Sequence, residues 1–146
     1  MLELMVVIVL ISMLLGMVSL ASGPSPARQA RQHAQTFSHQ VQQLREQAVL
    51  QGQEFGVRVS LESYQAVRLD TQGWRAAAEP HRLPDKLTLG LELEGRAVQL
   101  DDAQGTPQLL ILSSDEISPF RLHIRVAGQS VSRVSSDGIG QPLIDE

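Results

Sequence analysis

From Met1 to Ala21 the chain reads MLELMVVIVLISMLLGMVSLA, and after Glu3 it carries no charge until Arg28. About 20 predominantly apolar residues suffice for a helix to cross the hydrocarbon core of a bilayer, so this run is expected to sit in a membrane, with everything downstream as its cargo. Ser19-Leu20-Ala21 has the small-x-small look of a signal peptidase site, but a signal peptide opens on Lys or Arg and this run opens on Met-Leu-Glu. The segment is therefore expected to be retained. Glu3 is its anomaly. A carboxylate at the edge of such a run costs a few kcal/mol unless it finds a partner or the interface, and no basic residue stands beside it. Ser12, Gly16 and Ser19 are small residues of the kind that let helices approach closely. Arg28 and Arg31 follow the run, which taken alone would put the remaining domain on the cytoplasmic side.

Ser22-Gly23-Pro24-Ser25-Pro26 should bend or interrupt the helix, because a proline lacks the backbone donor and clashes with the preceding turn. Beyond it, Ala27, Ala30, Ala34, Phe37, Val41, Leu44 and Ala48 recur in steps of three and four, a narrow helical stripe opposed by Gln, Arg, His and Ser. A stripe so rich in alanine needs a flat partner close by, so Phe37, Val41 and Leu44 are expected to pack on a sheet, and Gly52 supplies the stop. The expectation is one long helix, bent at the prolines.

From Phe55 the period shortens to two. Phe55, Val57 and Val59 alternate with smaller or polar residues; Tyr64 to Leu69 is a second strand, and Asp70-Thr71-Gln72-Gly73 a turn leading to Trp74. Pro80 to Pro84 reads as a loop, Leu87 to Leu93 as a strand, Glu94-Gly95 as a turn into Arg96 to Leu100, and 101–107 as another loop. Leu109 to Leu112 is a continuous apolar run, expected to be covered on both sides. Phe120 to Val126 alternates strictly, Gly128-Gln129 turns, and Ser130 to Ser135 is the last strand before a loose tail. Seven or eight short strands without an intervening helical period imply antiparallel pairing. The fold class is α+β: a long N-terminal helix on an antiparallel two-sheet β domain, divided as residues 1–23, 24–52 and 53–146.

Composition removes several classes of function. A net charge of −4 leaves no basic footprint for nucleic acid. The absence of cysteine excludes disulfides, thiolate zinc sites and a cysteine nucleophile. With 3% aromatics, no stacking platform for bases or sugars is expected, Trp74 and Tyr64 being the main candidates for one. His33, His39, His81 and His123 show no metal-ligand spacing, and His33 and His39 are out of register on the helix, so both are expected on its solvated face. Asp101-Asp102 and Asp115-Glu116 lack further calcium ligands at EF-hand spacing and read as turn residues. No G-x-S-x-G or S-x-x-K accompanies the serines. Arg121, His123 and Arg125 form a one-sided strip, read as the solvent face of a strand. No catalytic residue, cofactor site or metal site is expected.

Leu2-Glu3-Leu4-Met5-Val6-Val7-Ile8-Val9-Leu10-Ile11 closely resembles the hydrophobic N-terminal signature of type IV pilins and type II secretion pseudopilins, where a glutamate stands near the start of the mature chain. Gln43 to Gly52, the Phe55 strand, Gly73-Trp74 and Ser114 to Leu122 are similar to the minor pseudopilin H group, a likeness shared with minor pilins of the FimT/FimU kind. The resemblance implies a pilin-like fold and a non-enzymatic subunit of a secretion pseudopilus. It implies a single inner-membrane pass, a periplasmic C-terminal domain, and other major and minor pseudopilins as partners, with the secretin and the inner-membrane assembly platform as further partners. It implies that Glu3 meets the N-terminal amine of a neighbouring subunit. The alternatives are a minor pilin of a type IV pilus or a membrane-anchored periplasmic binding domain. The family's basic leader and the glycine before the mature chain have no counterpart in the residues given, so cleavage and N-methylation are assigned to no residue.

Overall fold

The computed structural model describes residues 1–21, 25–100 and 105–145, with the side chains of residues 16–21 left aside. Two helices lead, α1 (Leu2–Ala21) and α2 (Pro26–Gln51). The expected single bent helix is thus broken: Ser25 is extended (φ −65°, ψ 148°), and its side chain accepts the amide of Arg28 at 3.2 Å as an N-cap, with Pro26 in the first turn, where a missing N–H costs nothing. The remaining residues of the expected kink, 22–24, lie outside the described residues. Gly52 ends α2 in the left-handed conformation (φ 60°), its amide bonding Ala48 O.

Ten strands follow among the described residues, all paired antiparallel. One sheet holds β1 (Phe55–Val59), β2 (Ser63–Asp70), β3 (Gly73–Ala76), β4 (His81–Arg82) and β7 (Leu109–Ile111), ordered β3-β2-β1-β7 with β4 also on β2. The other holds β5 (Leu87–Leu93), β6 (Arg96–Val98), β8 (Phe120–Val126), β9 (Gln129–Ser136) and β10 (Leu143–Asp145), ordered β10-β9-β8-β5-β6. The strands at the outer edges, β3, β7, β6 and β10, have four residues or fewer. Two elements differ from the sequence expectation. The Pro80–Pro84 segment contains β4, with Tyr64 opposite His81, and the tail contains β10, with Ile144 opposite Val134. Neither is long enough to show a period of two. The strand expected over Arg96 to Leu100 closes at Val98, and Leu110 in β7 is half-buried rather than covered on both sides.

The turns follow their residues. Asp70 Oδ1 accepts the amide of Gln72 at 2.8 Å before Gly73 at φ 116°. Glu94-Gly95 and Ala127-Gly128 each place two successive residues at positive φ, the primed geometry whose twist suits a two-residue hairpin. Beside β7 the Gln108 side-chain amide bonds both the N–H and the C=O of Val59, at 2.9 and 2.8 Å, and so prolongs the ladder to β1.

The stripe on α2 is buried as expected at Ala30, Ala34, Phe37, Val41, Leu44 and Ala48, but Ala27 is exposed, one turn too early to reach the β domain. Phe37 occupies the seam between the sheets. Its ring meets Tyr64 of β2 edge-on at 4.9 Å and Phe120 of β8 at 5.9 Å, so one side chain joins the helix to both layers. Leu87, Leu89, Leu91, Leu122, Ile124 and Val134 fill the other sheet's inner face, each 2% exposed or less.

Candidate functional site

Two regions stand out, the leading helix and the ring of polar contacts that fixes α2 to the β domain. In α1 every large apolar side chain from Met1 to Leu15 is exposed, from 49 to 108%. The one hydroxyl among them, Ser12, donates to Ile8 O at 2.8 Å and so brings no unsatisfied donor to that surface. Glu3 lies exposed in the first turn, with no ion-pair partner among the described residues. The small residues Gly16 and Ser19 fall where side chains are outside the described residues. Among the described residues no helix is long and apolar enough to cross a membrane.

Arg45 anchors the second region. It stands four residues after Val41 and three before Ala48, within the arc of the buried stripe, and only 8% of it is exposed. Its Nε donates to Asp115 Oδ1 at 2.7 Å and its terminal nitrogens to the carbonyls of Gly140 (2.9 Å), Ile139 (2.7 Å) and Asp115 (3.3 Å). The fork of the guanidinium suits such divergent acceptors. Asp115, at φ 71°, is therefore more than a turn residue: its turn presents both a carboxylate and a carbonyl to α2. Asp137 organises the other acceptors. Its Oδ1 takes the amides of Ile139 and Gly140 at 3.0 and 3.1 Å, and these hold its carboxyl below the usual range. Around the clamp, a groove of about 590 Å³ is lined by Val49, Leu50 and Ile139 along with Arg45 and Asp115.

The strip on β8 is more engaged than a solvent face. His123 Nε2 lies 3.0 Å from Glu92 Oε2 and its Nδ1 3.1 Å from Ser130 Oγ, while Arg121 reaches the same Glu92 oxygen at 3.4 Å. The hydrogen bond from His123, then the charges of His123 and Arg121, hold the Glu92 carboxyl down. Arg125 lies across Gly90, whose missing Cβ would stand 2.6 Å from the guanidinium carbon. Only Arg121 of the three is fully exposed.

His33 departs from the solvated helix face expected for it, whereas His39 conforms. His33 is half-buried, with Nδ1 3.2 Å from His81 Nε2; burial, then the neighbouring His81, lower its pKa. His81 in turn stacks on Tyr64, ring centroids 4.9 Å apart. Tyr64, 2% exposed, is no surface platform, and its hydroxyl has no hydrogen-bond partner among the described residues; burial pushes its pKa up to about 12. Asp101 and Asp102 lie outside the described residues. Among the described residues no three or more His, Asp or Glu converge on one point.

A helix with an exposed apolar coat, leading into a second helix clamped on a two-sheet domain, defines a class of helix-led α+β proteins. Comparison with known proteins gives the particular family. Residues 33–140 match the family model for type II transport protein GspH. The type II secretion system protein H of Pseudomonas aeruginosa is 37% identical over 158 aligned positions, covering 98% of this chain and 92% of that protein. The Vibrio cholerae protein of the same name is 30% identical, covering 88% and 81%. A crystal structure of the minor pseudopilin EpsH from the type II secretion system of Vibrio cholerae superimposes with a TM-score of 0.73 at 30% identity, over 82% of this chain and 95% of that one. The solution structure of Escherichia coli GspH shares the fold, with a TM-score of 0.68 at 21% identity. The chain belongs to the GspH family of type II transport proteins.

Proposed function

We propose that this chain is a minor pseudopilin, a structural, non-enzymatic subunit of a type II secretion pseudopilus that helps folded proteins leave through the outer-membrane secretin. The observation that carries the reading is the match to type II secretion protein H over nearly the whole chain, apolar helix included. The backbone of α1 has 20 residues, about 30 Å at 1.5 Å per residue, a length that matches the hydrocarbon thickness of a bilayer although the side chains described on it reach only to Leu15. Its apolar side chains, exposed from Leu2 to Leu15, support a single inner-membrane pass with the β domain in the periplasm, and, once in a filament, burial against other pseudopilins. In either setting Glu3 is the costly residue. A carboxylate in low dielectric is tolerated when a cation meets it with good geometry, and leaving either group alone is expensive. A neighbouring subunit's N-terminal ammonium supplies that cation, and the pairing fixes the register of one helix against the next.

The test is Glu3→Gln and Glu3→Ala in the full chain. Both are expected to reduce crosslinking to partner pseudopilins and secretion of substrate proteins, while the circular dichroism and unfolding midpoint of the β domain stay as they were. Unchanged secretion together with unchanged crosslinking would refute the role given to Glu3.

A further inference from the structure

We propose that His33 and His81 form a binding site for a divalent late transition metal ion of the zinc class, with two imidazole ligands from the protein and the remaining positions taken by water. The two nitrogens come from elements far apart in sequence, α2 and β4, and stand 3.2 Å from one another. Two ligand nitrogens at about 2.0–2.1 Å from one tetrahedral zinc are about 3.3–3.4 Å apart. The pair is thus already spaced as the edge of a zinc coordination tetrahedron.

Both rings are held in place by packing that no metal is needed to create. His81 lies opposite Tyr64 in the β2–β4 register and stacks on its ring, with 24° between the planes. Tyr64 is itself fixed edge-on against Phe37. His33 sits one turn before Phe37 on the same helical face, so the contact that seats α2 in the seam also aims His33 at β4. Both residues are half-buried and so still reached by solvent, which can supply the remaining ligands. Imidazole binds as the neutral ring, so whichever ring donates in this contact takes the tautomer with its proton on the far nitrogen, and each histidine then offers a lone pair to the metal. Soft-to-borderline ions such as Zn2+, Cu2+ and Ni2+ suit this donor set, whereas Ca2+ and Mg2+ require oxygen. The bound ion would tie α2 to the β4 edge of the first sheet.

The experiment titrates zinc chloride into the detergent-solubilised full chain, without a polyhistidine tag, by calorimetry and thermal unfolding. One zinc per chain is expected, with a dissociation constant in the micromolar range and a midpoint raised by about 4 °C at a free zinc concentration ten times that constant. His33→Gln and His81→Gln, each checked for native circular dichroism, should weaken binding at least tenfold, His39→Gln should leave it unchanged, and excess calcium should not compete. Absence of saturable binding up to millimolar zinc, equal binding by both His33→Gln and His81→Gln, or displacement by calcium would each overturn the assignment.

Discussion

Replacing Arg45 tests how α2 is held to the β domain. Arg45→Ala removes four hydrogen bonds at once, one to a carboxylate and three to backbone carbonyls. The ion pair itself contributes little, since the Asp115 side chain is 60% exposed and water replaces the lost partner there. The cost lies with the carbonyls of Ile139, Gly140 and Asp115, which face a helix surface from which the donors have gone, and with the aliphatic stem that packed beneath them. At roughly 1 kcal/mol for each carbonyl, the destabilisation should be about 3 kcal/mol. With a urea slope of about 2 kcal/mol per molar, the midpoint falls by about 1.5 M. Arg45→Lys keeps the charge but not the fork, and should recover less than half of this loss. Urea unfolding of the full chain in micelles measures the global effect, and amide exchange at residues 139–145 measures the local one. An Arg45→Ala chain within about 0.5 kcal/mol of the parent, or an Arg45→Lys chain equal to it, would refute the clamp as a stabilising device.

Gly56→Ala should destabilise by about 2 kcal/mol, because the new Cβ would stand 2.5 Å from Pro107 Cγ and 2.8 Å from Leu109 O, and β1 and β7 would have to part; a midpoint equal to the parent's would contradict the close approach. The Asp137 carboxyl is depressed in the folded chain, so its contribution is complete above the ordinary carboxylate pKa and is lost as pH falls below it. The protection factors of the Ile139 and Gly140 amides, corrected for the intrinsic rate at each pH, should fall on acidification below about pH 4 in the parent, and be low already at neutral pH in Asp137→Ala. Equal protection in the two proteins would show that the carboxylate does not hold this turn.

What the sequence revealed divides by range. The α2 stripe, the Gly52 stop, the strands with clean alternation and the Glu94-Gly95 turn all depend on neighbours a few residues apart, and periodicity exposes them. β4 and β10 have two and three residues, too few to show any period, and they exist because β2 and β9 offer open edges. Arg45 left one trace, a charge inside the buried arc, but its acceptors stand 70 to 95 positions away. The His33–His81 pair left none, since 48 residues separate the two and nothing local marks either as a ligand. Glu3 was legible for the opposite reason. A lone charge in an apolar run is conspicuous without knowledge of the fold.

The outer strands carry a consequence for how copies of such a chain can meet. A long unpaired strand is an open template for copies of itself, and β3, β7, β6 and β10 offer at most four residues each. Side-by-side growth of the β domains by sheet extension therefore has almost no foothold. A β domain with its edges cut short in this way gives strand-by-strand addition little purchase, so any contact between copies has to be made by side-chain surfaces and not by a continued sheet.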